Sequence, residues 1–410
     1  MIKKISIDQL KVGMYITDMS NQWIPDGNSS RKGTIKSQVN IDKIKQLGVS
    51  TIHIDTSKGV DCPDVASLGK KEQLQKEQLA TIQQQSGVDN SNVTVNADGR
   101  VSDRADDRES AEKAHAQAKD IIGDVLGDVK NGKGVDAKIV SAMAEELTDS
   151  LDKNSSALAC LTRIRAKDTY LLEHSVNVGI LLGLFARSMK VERKIVAELV
   201  TGGLLHDIGK IIVPDEVLNK PGKLESEEWV EMQRHVTYGE QVLDVTEGLS
   251  DLSRSICALH HERLDGSGYP RKLAAENISQ YGRMAAVVDV YDAITADRVY
   301  HQGMSPNEAL KKLIEWSVFH LDKDLVYGFI RCVSIYPVGT LVELDNGRAG
   351  VVIEINAAEP KKPLLRVFYD MKAKCKTPPY LQDLASRINK NKIVATLDAR
   401  QLQINEMEFM

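Results

Sequence analysis

Five histidines and two aspartates lie between residues 174 and 289 in a pattern that could bind metal ions. In chain order they are His174, His206, Asp207, His235, His260, His261 and Asp289. Neutral imidazole binds iron, manganese, zinc or cobalt, and a carboxylate can bridge two ions. The set therefore predicts a metal centre with mixed nitrogen and oxygen ligands.

Two parts of this set are pairs of neighbours, His206–Asp207 and His260–His261. Neighbours on a helix point about 100° apart, so each pair can address two adjacent positions. Two close ions bind phosphate oxygens and lower the pKa of a bridging water, as hydrolysis of a phosphodiester requires. Any one of these histidines alone is typical of an ordinary core or surface residue. The joint pattern favours a two-ion site.

Two further features lie near these pairs. Lys210 comes four residues after His206, so on a helix it would face the same cavity and could stabilise phosphate charge. The segment Asp265-Gly266-Ser267-Gly268-Tyr269-Pro270 is typical of a turn-rich loop. Its glycines allow the backbone to approach a ligand closely, and we expect the loop to shape the pocket rather than to do chemistry.

Residues 110–336 must bring these ligands together, and their pattern is helical. Val176, Ile180 and Leu184 form one buried stripe, and a similar stripe leads through Ile256 into the second pair. The pattern predicts an all-α bundle whose ligands project inward from different helices.

Shorter β-rich patterns flank the bundle. Residues 1–65 alternate as strands do, with a short helix at 37–47. Residues 66–109 predict a polar linker, partly helical or disordered. Residues 337–410 predict a small β-rich domain whose first hairpin turns at 345–347. The expected fold class is multidomain α+β, with a central all-α bundle between two small β-rich domains.

Composition limits the classes of partner. A formal net charge of −5 gives no basic field for gripping a nucleic-acid polymer. The five cysteines are scattered without a CxxC pair, which is typical of reduced packing residues. The sequence shows no signal peptide and no apolar run of about 18 residues. We expect a cytoplasmic protein without membrane insertion, whose β-rich ends dock on the bundle or mediate homodimerisation.

The order of the motifs resembles the HD-GYP family, a branch of the HD-domain phosphohydrolases that cleaves cyclic dinucleotides such as cyclic di-GMP. The HD is His206–Asp207, and the GYP is Gly268-Tyr269-Pro270, which comes shortly after His260–His261. The resemblance covers roughly residues 115–335. The segment 10–15 is similar to the small N-terminal domain that often precedes such modules.

The resemblance implies two divalent ions, iron with manganese as a competent substitute. It assigns the ligands so that His174, His206, Asp207 and Asp289 hold the first ion, while Asp207 bridges to a second that His235, His260 and His261 complete.

The resemblance also implies roles at the substrate. Arg298 matches an arginine that contacts the substrate phosphate. The planar guanidinium group of arginine is suited to bidentate binding of phosphate. The expected catalytic residues are Asp207, Lys210 and Arg298. The expected substrate contacts are Lys210, Asp265, Gly266, Gly268, Tyr269, Pro270, Arg298 and Tyr300. We expect Glu262, Arg263 and Asp265 to brace the loop or the ligands.

Two positions depart from the family pattern. Tyr170 stands where some members have a glutamate that helps to bind a third metal, so we expect two ions. His301 stands where the family usually has Lys or Arg, which predicts weaker or pH-dependent phosphate contacts at that end.

The resemblance predicts hydrolysis of cyclic di-GMP to pGpG, GMP or both, in bacterial second-messenger signalling. The nearest alternative is a 3′,3′-cyclic GMP-AMP phosphodiesterase, because no residue selects guanine over adenine. A second alternative is a sensor that binds the cyclic dinucleotide without cleaving it, which the complete ligand set argues against. A generic HD nucleotidase would leave His260–His261 and the GYP segment unexplained.

Overall fold

The computed structural model describes residues 2–18, 33–38, 41–42, 51–62, 103–163, 170–296, 303–356, 358–399, 402, 404 and 406–409. The chain divides into two units, 1–91 and 92–410. None of the described helices is both long enough and apolar enough to cross a lipid bilayer.

The first unit contains an antiparallel sheet. Its strands are β1 (Ile2–Ser6), β2 (Tyr15–Asp18), β3 (Gly33–Thr34) and β4 (Thr51–Asp55), in the order β1-β4-β2-β3. Alternating apolar residues such as Ile5, Ile52 and Ile54 form its core. The β-rich pattern predicted here is present, while most of the helix predicted at 37–47 lies outside the described residues.

The predicted linker differs from the structure at its C-terminal end. Most of 66–109 lies outside the described residues, but a helix, α1, already begins at Asp103 and runs to Lys130. The charged residues at 103–109 that suggested a solvated linker belong to the first turns of that helix.

The second unit begins with the predicted helical bundle. Its further helices are α2 (Ala137–Leu161), α3 (Tyr170–Ser188), α4 (Arg193–Leu205), α5 (Asp215–Leu218), α6 (Ser226–Gln233), α7 (His235–Asp244), α8 (Asp251–Leu259), α9 (Gln280–Thr295), α10 (Pro306–Trp316) and α11 (Lys323–Val333). Side-chain caps start several of them: Ser250 accepts from Ser253 N before α8, and Ser279 accepts from Gly282 N before α9. The helices that matter for the site therefore have fixed starting points.

Helix α3 lies at the centre of this bundle. Fourteen of its residues, Glu173 to Ala186, are buried without interruption. A helix that is buried on all sides must pack against several neighbours, and α3 packs against α1, α2, α4, α9 and α11. Any side chain on its inner face is held in place from several directions.

The C-terminal part is a five-stranded antiparallel sheet. Its strands are β5 (Leu341–Leu344), β6 (Arg348–Glu354), β7 (Leu364–Asp370), β8 (Cys375–Asp383) and β9 (Ile393–Thr396), in the order β8-β7-β6-β5-β9. The predicted hairpin is confirmed: Leu341 pairs with Val351, and Gly347 takes the left-handed φ of +80° in the turn. The sheet packs on α2, where Cys160 Sγ lies 3.2 Å from the carbonyl oxygen of Ile353.

Candidate metal centre

The two pairs of neighbouring ligands lie just beyond helix ends. Helix α4 stops at Leu205, directly before His206, and α8 stops at Leu259, directly before His260. We predicted both pairs within helices, and that placement is wrong. Asp207 has φ −104° and ψ 12° and begins a 3-10 helix at 208–212 that includes Lys210. Each pair therefore lies where the backbone leaves its helix.

A close backbone contact explains why the chain turns at the first pair. A Cβ atom at Gly209 would overlap the carbonyl oxygen of His235 and the amide of Gly239. The glycine lets the 3-10 helix lie directly on α7, which carries the next ligand. This contact brings Asp207 and His235 together.

The first group of ligand atoms surrounds one carboxylate oxygen of Asp207. Its Oδ2 atom lies 3.4 Å from His174 Nε2 and 3.3 Å from His206 Nε2. The two imidazole nitrogens are 3.2 Å apart, and His174 Nε2 is 3.1 Å from Asp289 Oδ1. Four predicted ligands from α3, α9 and the end of α4 thus converge on one point.

The second group faces the other carboxylate oxygen of Asp207. Its Oδ1 atom lies 3.3 Å from His235 Nε2 and 3.8 Å from His260 Nε2. His261 Nδ1 is 3.6 Å from Asp289 Oδ2, and it shares a cluster no wider than 4.8 Å with Asp207, His235 and His260. Asp207 therefore presents one oxygen to each group, as a bridging carboxylate must.

The outward-facing nitrogens of three histidines are engaged by backbone. Each Nδ1 lies 2.7 Å from the carbonyl oxygen three residues earlier: Gly203 for His206, Met232 for His235, and Cys257 for His260. These carbonyls belong to the last turns of α4, α6 and α8, where helical acceptors lack helical partners. Donation from Nδ1 fixes the tautomer that leaves Nε2 free to bind a metal.

His174 has a different partner, which the sequence reasoning missed. Its Nδ1 lies 2.7 Å from Oδ2 of Asp292, and both side chains are only 1% exposed. Asp292 stands three residues after Asp289 on α9, so the two carboxylates share one helix face. That spacing was the available signal in the sequence.

Buried atoms without hydrogen-bond partners test whether ions fit. Within the described part of the chain, Asp207 Oδ1, His235 Nε2, His260 Nε2 and His261 Nδ1 have none. Leaving a buried donor or acceptor unsatisfied costs about 1–3 kcal/mol each, so such atoms rarely cluster without a reason. These are the four atoms of the second group, and a bound cation would satisfy all of them.

The pKa values of the buried histidines and of Asp207 also fit metal binding. Burial lowers the pKa of His235 to about 4 and that of His260 to about 3, which keeps both imidazoles neutral as metal ligands must be. Burial opposes ionisation of Asp207, but the charge of Lys210, with a smaller contribution from the contact with His206, outweighs it and holds the pKa of Asp207 well below the usual range. Asp207 is therefore an ionised carboxylate, as a group that bridges two cations would need to be.

The pKa of His174 moves the other way. Burial would lower it, yet contacts with Tyr170, Asp289 and Asp292 raise the pKa to about 10. Without an ion, His174 carries a proton between two carboxylates. A cation at Nε2 would take the place of that proton.

Lys210 contacts the carboxylate of Asp207. Its Nζ atom pairs with Asp207 Oδ2, and its side chain is 17% exposed. Burial alone would lower the pKa of Lys210, but the negative charge of Asp207, together with smaller contributions from other nearby groups, outweighs burial. The net pKa is raised above its usual value, so the amine stays protonated. A positive charge is thus fixed beside the ligand cluster.

The glycine-rich loop folds back on the second pair. Glu262 accepts from the backbone amides of Arg271 and Leu273, each at 2.8 Å, and so ties the far end of the loop to α8. A Cβ atom at Gly268 would lie 2.5 Å from the carbonyl oxygen of His261. We predicted that this glycine lets backbone approach a ligand. The structure shows backbone packed on backbone, which holds His261 in place.

Other loop residues have separate contacts. Asp265 Oδ1 accepts from Ser267, and its Oδ2 lies 3.2 Å from His320 Nδ1, so these contacts brace the loop. Gly266 has φ +74°, which suits the turn. The ring of Tyr269 lies 4.6 Å from that of His261. Of the predicted substrate contacts at 265–270, Gly268 and Tyr269 lie against the ligand His261.

Three predicted positions, Arg298, Tyr300 and His301, lie outside the described residues, and their roles remain predictions. The third-metal position is described: the ring of Tyr170 stacks on His174 with centroids 5.6 Å apart. Glu173 instead pairs with Lys119 at 3.4 Å. Tyr170 offers no carboxylate beside the first group.

A helical bundle that gathers a His-Asp pair, a His-His pair and further His and Asp ligands defines a metal-dependent hydrolase of the HD class. Family models agree: an HD domain matches residues 129–325, a domain of unknown function (DUF3391) matches 2–140, and a KOW domain associated with the HD domain matches 341–404. A cyclic di-GMP phosphodiesterase of Pseudomonas aeruginosa is 33% identical over 100% of this chain and 95% of its own length. The chain belongs to the HD-domain family, in its HD-GYP branch.

Two relatives from Vibrio cholerae match shorter regions. A 3′3′-cGAMP-specific phosphodiesterase is 41% identical over 30% of this chain and 24% of its own length. A cyclic di-GMP phosphodiesterase is 42% identical over 31% of this chain and 27% of its own length. Relatives named for either substrate therefore share sequence with this chain.

Proposed function

We propose that the protein is a metal-dependent phosphodiesterase that hydrolyses cyclic di-GMP to the linear dinucleotide pGpG and, by a second cleavage, to GMP. The observation that carries this proposal is the position of Asp207. Its two oxygens face separate groups of histidine nitrogens, as a two-ion hydrolytic site requires. The full-length similarity to a cyclic di-GMP phosphodiesterase supports the choice of substrate.

The ligand atoms fit two ions. When bound, the ions would supply Lewis acidity towards phosphate and a water of lowered pKa. We propose iron in both positions with manganese as a competent substitute, since imidazole and carboxylate suit either. One ion would be held by His174, His206, Asp207 and Asp289. The other would be held by Asp207, His235, His260 and His261.

The protein's own residues have distinct parts in the reaction. Lys210 places a fixed positive charge beside Asp207, where it would bind a phosphate oxygen and stabilise charge that builds up in the transition state. Arg298 would bind a substrate phosphate, and Tyr300 would add a contact to the substrate. The five deeply buried ligands keep bulk water away from the cluster, which strengthens electrostatic interactions inside it.

The decisive experiment pairs metal analysis with product identification. Protein purified without oxygen should contain two ions per chain and convert cyclic di-GMP to pGpG and GMP, as resolved by chromatography. Asp207→Asn is the matched control, because it keeps the size of the side chain and removes the bridging charge. Two bound ions without hydrolysis of any cyclic dinucleotide would instead indicate a sensor.

One alternative substrate has support of its own. The partial matches to cGAMP-specific phosphodiesterases favour testing 3′,3′-cyclic GMP-AMP in the same assay. The ratio of kcat/KM for the two substrates decides between them. A ratio above about tenfold, or ~1.4 kcal/mol, in either direction would name the preferred substrate.

We also propose a cytoplasmic enzyme that forms a homodimer, whose β-rich ends dock on the bundle, as the C-terminal sheet does on α2, or mediate the dimer contact. The free cysteines Cys62, Cys160, Cys257, Cys332 and Cys375 support a reducing compartment. Sedimentation of the full chain would test the dimer.

A further inference from the structure

The exposure of the ligands shows from which side a substrate can approach the cluster. The side chains of His174, His206, Asp207, His235 and His260 are at most 1% exposed. Those of His261 and Asp289 are 7% and 6% exposed, and that of Lys210 is 17% exposed. The cluster therefore opens on the side of these three residues.

A row of aromatic rings leads outward from this opening. The ring of Tyr269 lies 4.6 Å from that of His261 at an interplanar angle of 34°. The ring of Trp229 comes next, 6.3 Å from Tyr269 and edge-on at 82°. Trp229 is half-buried, so part of its indole remains accessible two ring contacts from a metal ligand.

The helix that carries Trp229 is unusual, because none of its residues is buried. In α6, Val230 beside Trp229 is 53% exposed. Such a helix gains little stability from a hydrophobic core, yet both of its ends are fixed. Glu228 accepts two hydrogen bonds from Lys220, at 2.6 and 2.7 Å. At the other end, Met232 accepts from the Nδ1 of His235.

These anchors hold the backbone of α6 beside His235, and the edge-on contact with Tyr269 places the indole next to the metal ligands. A large aromatic ring that is rigid, partly exposed and next to the opening is suited to stacking on a flat ligand group. A cyclic dinucleotide offers two purine bases of that kind. Stacking is tolerant of base identity, since every base has a π face.

We propose that Trp229 stacks on a purine base of the bound cyclic dinucleotide and supplies affinity without distinguishing guanine from adenine. This inference rests on the proposed function and names one contact of the same site. It assigns the recognition of one base to α6, separately from the phosphate contacts at Lys210.

The test compares two substitutions in the full-length protein. Trp229→Leu keeps an apolar side chain but removes the aromatic face, whereas Trp229→Phe keeps a face. For Trp229→Leu we expect KM to rise about 5- to 150-fold for both cyclic di-GMP and 3′,3′-cyclic GMP-AMP. We expect kcat to stay within about threefold and metal content to be unchanged. Trp229→Phe should restore most of the affinity, and Trp316→Phe at the end of α10 serves as the control for loss of a tryptophan elsewhere in the bundle.

Two outcomes would overturn the proposal. An unchanged KM in Trp229→Leu would show that no base stacks there. An equal loss in Trp229→Leu and Trp229→Phe, together with a lower metal content, would show that the indole only supports Tyr269.

A fluorescence experiment separates this proposal from the proposed function. In the variant Trp23→Phe/Trp316→Phe, Trp229 is the remaining tryptophan of the three in the chain. Quenching of its emission by cyclic di-GMP, followed before turnover, would support stacking even if no hydrolysis occurred. Hydrolysis by the same variant without any change in emission would refute stacking and leave the proposed function intact.

Discussion

The Nδ1 atom of His174 lies 2.7 Å from the Oδ2 atom of Asp292, and both side chains are almost completely buried. The Nδ1 atoms of three other candidate ligands, His206, His235 and His260, donate instead to backbone carbonyls. A carboxylate partner raises the basicity of an imidazole ligand more than a neutral carbonyl does. The first group of ligands therefore has a stronger nitrogen donor than the second.

Asp292→Asn tests this relationship, because it keeps an oxygen acceptor but removes the charge. We expect the affinity of the first ion to fall about 10- to 100-fold, while the second ion is retained. Metal content after dialysis against a graded series of chelator concentrations measures this. The exposed Asp251→Asn on α8 is the control. Loss of both ions together would contradict the division into two groups.

The double substitution His206→Ala/Asp207→Ala should abolish phosphodiesterase turnover and leave the helical content intact. Both side chains line the ligand cluster, and the apolar core around α3 does not depend on them. Far-ultraviolet circular dichroism and an activity assay check the two parts. Substantial residual activity would refute the catalytic assignment of Asp207.

Stability of the metal-free protein should depend on pH through the buried histidines. The pKa values of His235 and His260 are lowered to about 4 and about 3 by burial, against about 6.5 in the unfolded chain. Below pH 6.5 the unfolded chain binds more protons, so the free energy of unfolding decreases as the pH falls from about 6.5 towards 4.

His174 does not add to that decrease. Its pKa is raised to about 10, so its contribution is fully present below about 6.5 and is lost as the pH rises through 10. Thermal unfolding of metal-free protein at about pH 7.5 and about pH 5 measures the effect. His260→Gln, which cannot titrate, should flatten the dependence. A flat profile in the unsubstituted protein would show that the histidines do not resist protonation.

Glu262→Gln should destabilise the loop at 265–273. The carboxylate accepts two backbone amides at 2.8 Å, and the amide NH₂ of glutamine would face one of these donors. Charge-assisted hydrogen bonds are worth about 1.5–3 kcal/mol each, so we expect the free energy of unfolding to fall by about 2 kcal/mol or more. Denaturant unfolding tests this, with the exposed Glu276→Gln as control. Equal midpoints for the two variants would show that Glu262 does not anchor the loop.

Arg298→Ala should weaken substrate binding and leave metal content unchanged. Losing a charge-assisted contact to phosphate typically costs about 1.5–3 kcal/mol, or roughly 10- to 150-fold in kcat/KM. Steady-state kinetics with metal analysis measures both quantities, with Arg387→Ala on the C-terminal domain as control. Unchanged activity would remove Arg298 from the site.

Periodicity predicted the elements of this fold better than their ends. The buried stripe through Val176 and Leu184 predicted α3, and the turn at 345–347 predicted the β5–β6 hairpin. Where α4 stops was not predictable, because the close approach of Gly209 to α7 is a tertiary contact. The helix propensities of the residues near Leu205 do not encode such a contact.

The candidate metal ligands were predicted more completely than the contacts that hold them in place. Residue type and order singled out the ligands, because few other side chains bind metals. The contact between His174 and Asp292 becomes visible only when α3 and α9 are placed together. Glu262 was expected to brace the loop or the ligands, and the structure adds which two backbone amides it holds. Carboxylates occur often enough on helices that spacing alone does not reveal what they touch.

Three of the candidate metal ligands also act as capping groups at the C-terminal ends of helices. His206, His235 and His260 each use one ring nitrogen to satisfy a carbonyl in the final turn of the preceding helix. Aspartate and cysteinate can bind metals, but neither has an N–H left to donate to that carbonyl. Exchanging one of these histidines for either would leave a buried acceptor unsatisfied, at about 1–3 kcal/mol. The backbone therefore restricts how far the ligand set can drift in evolution or be redesigned for another metal.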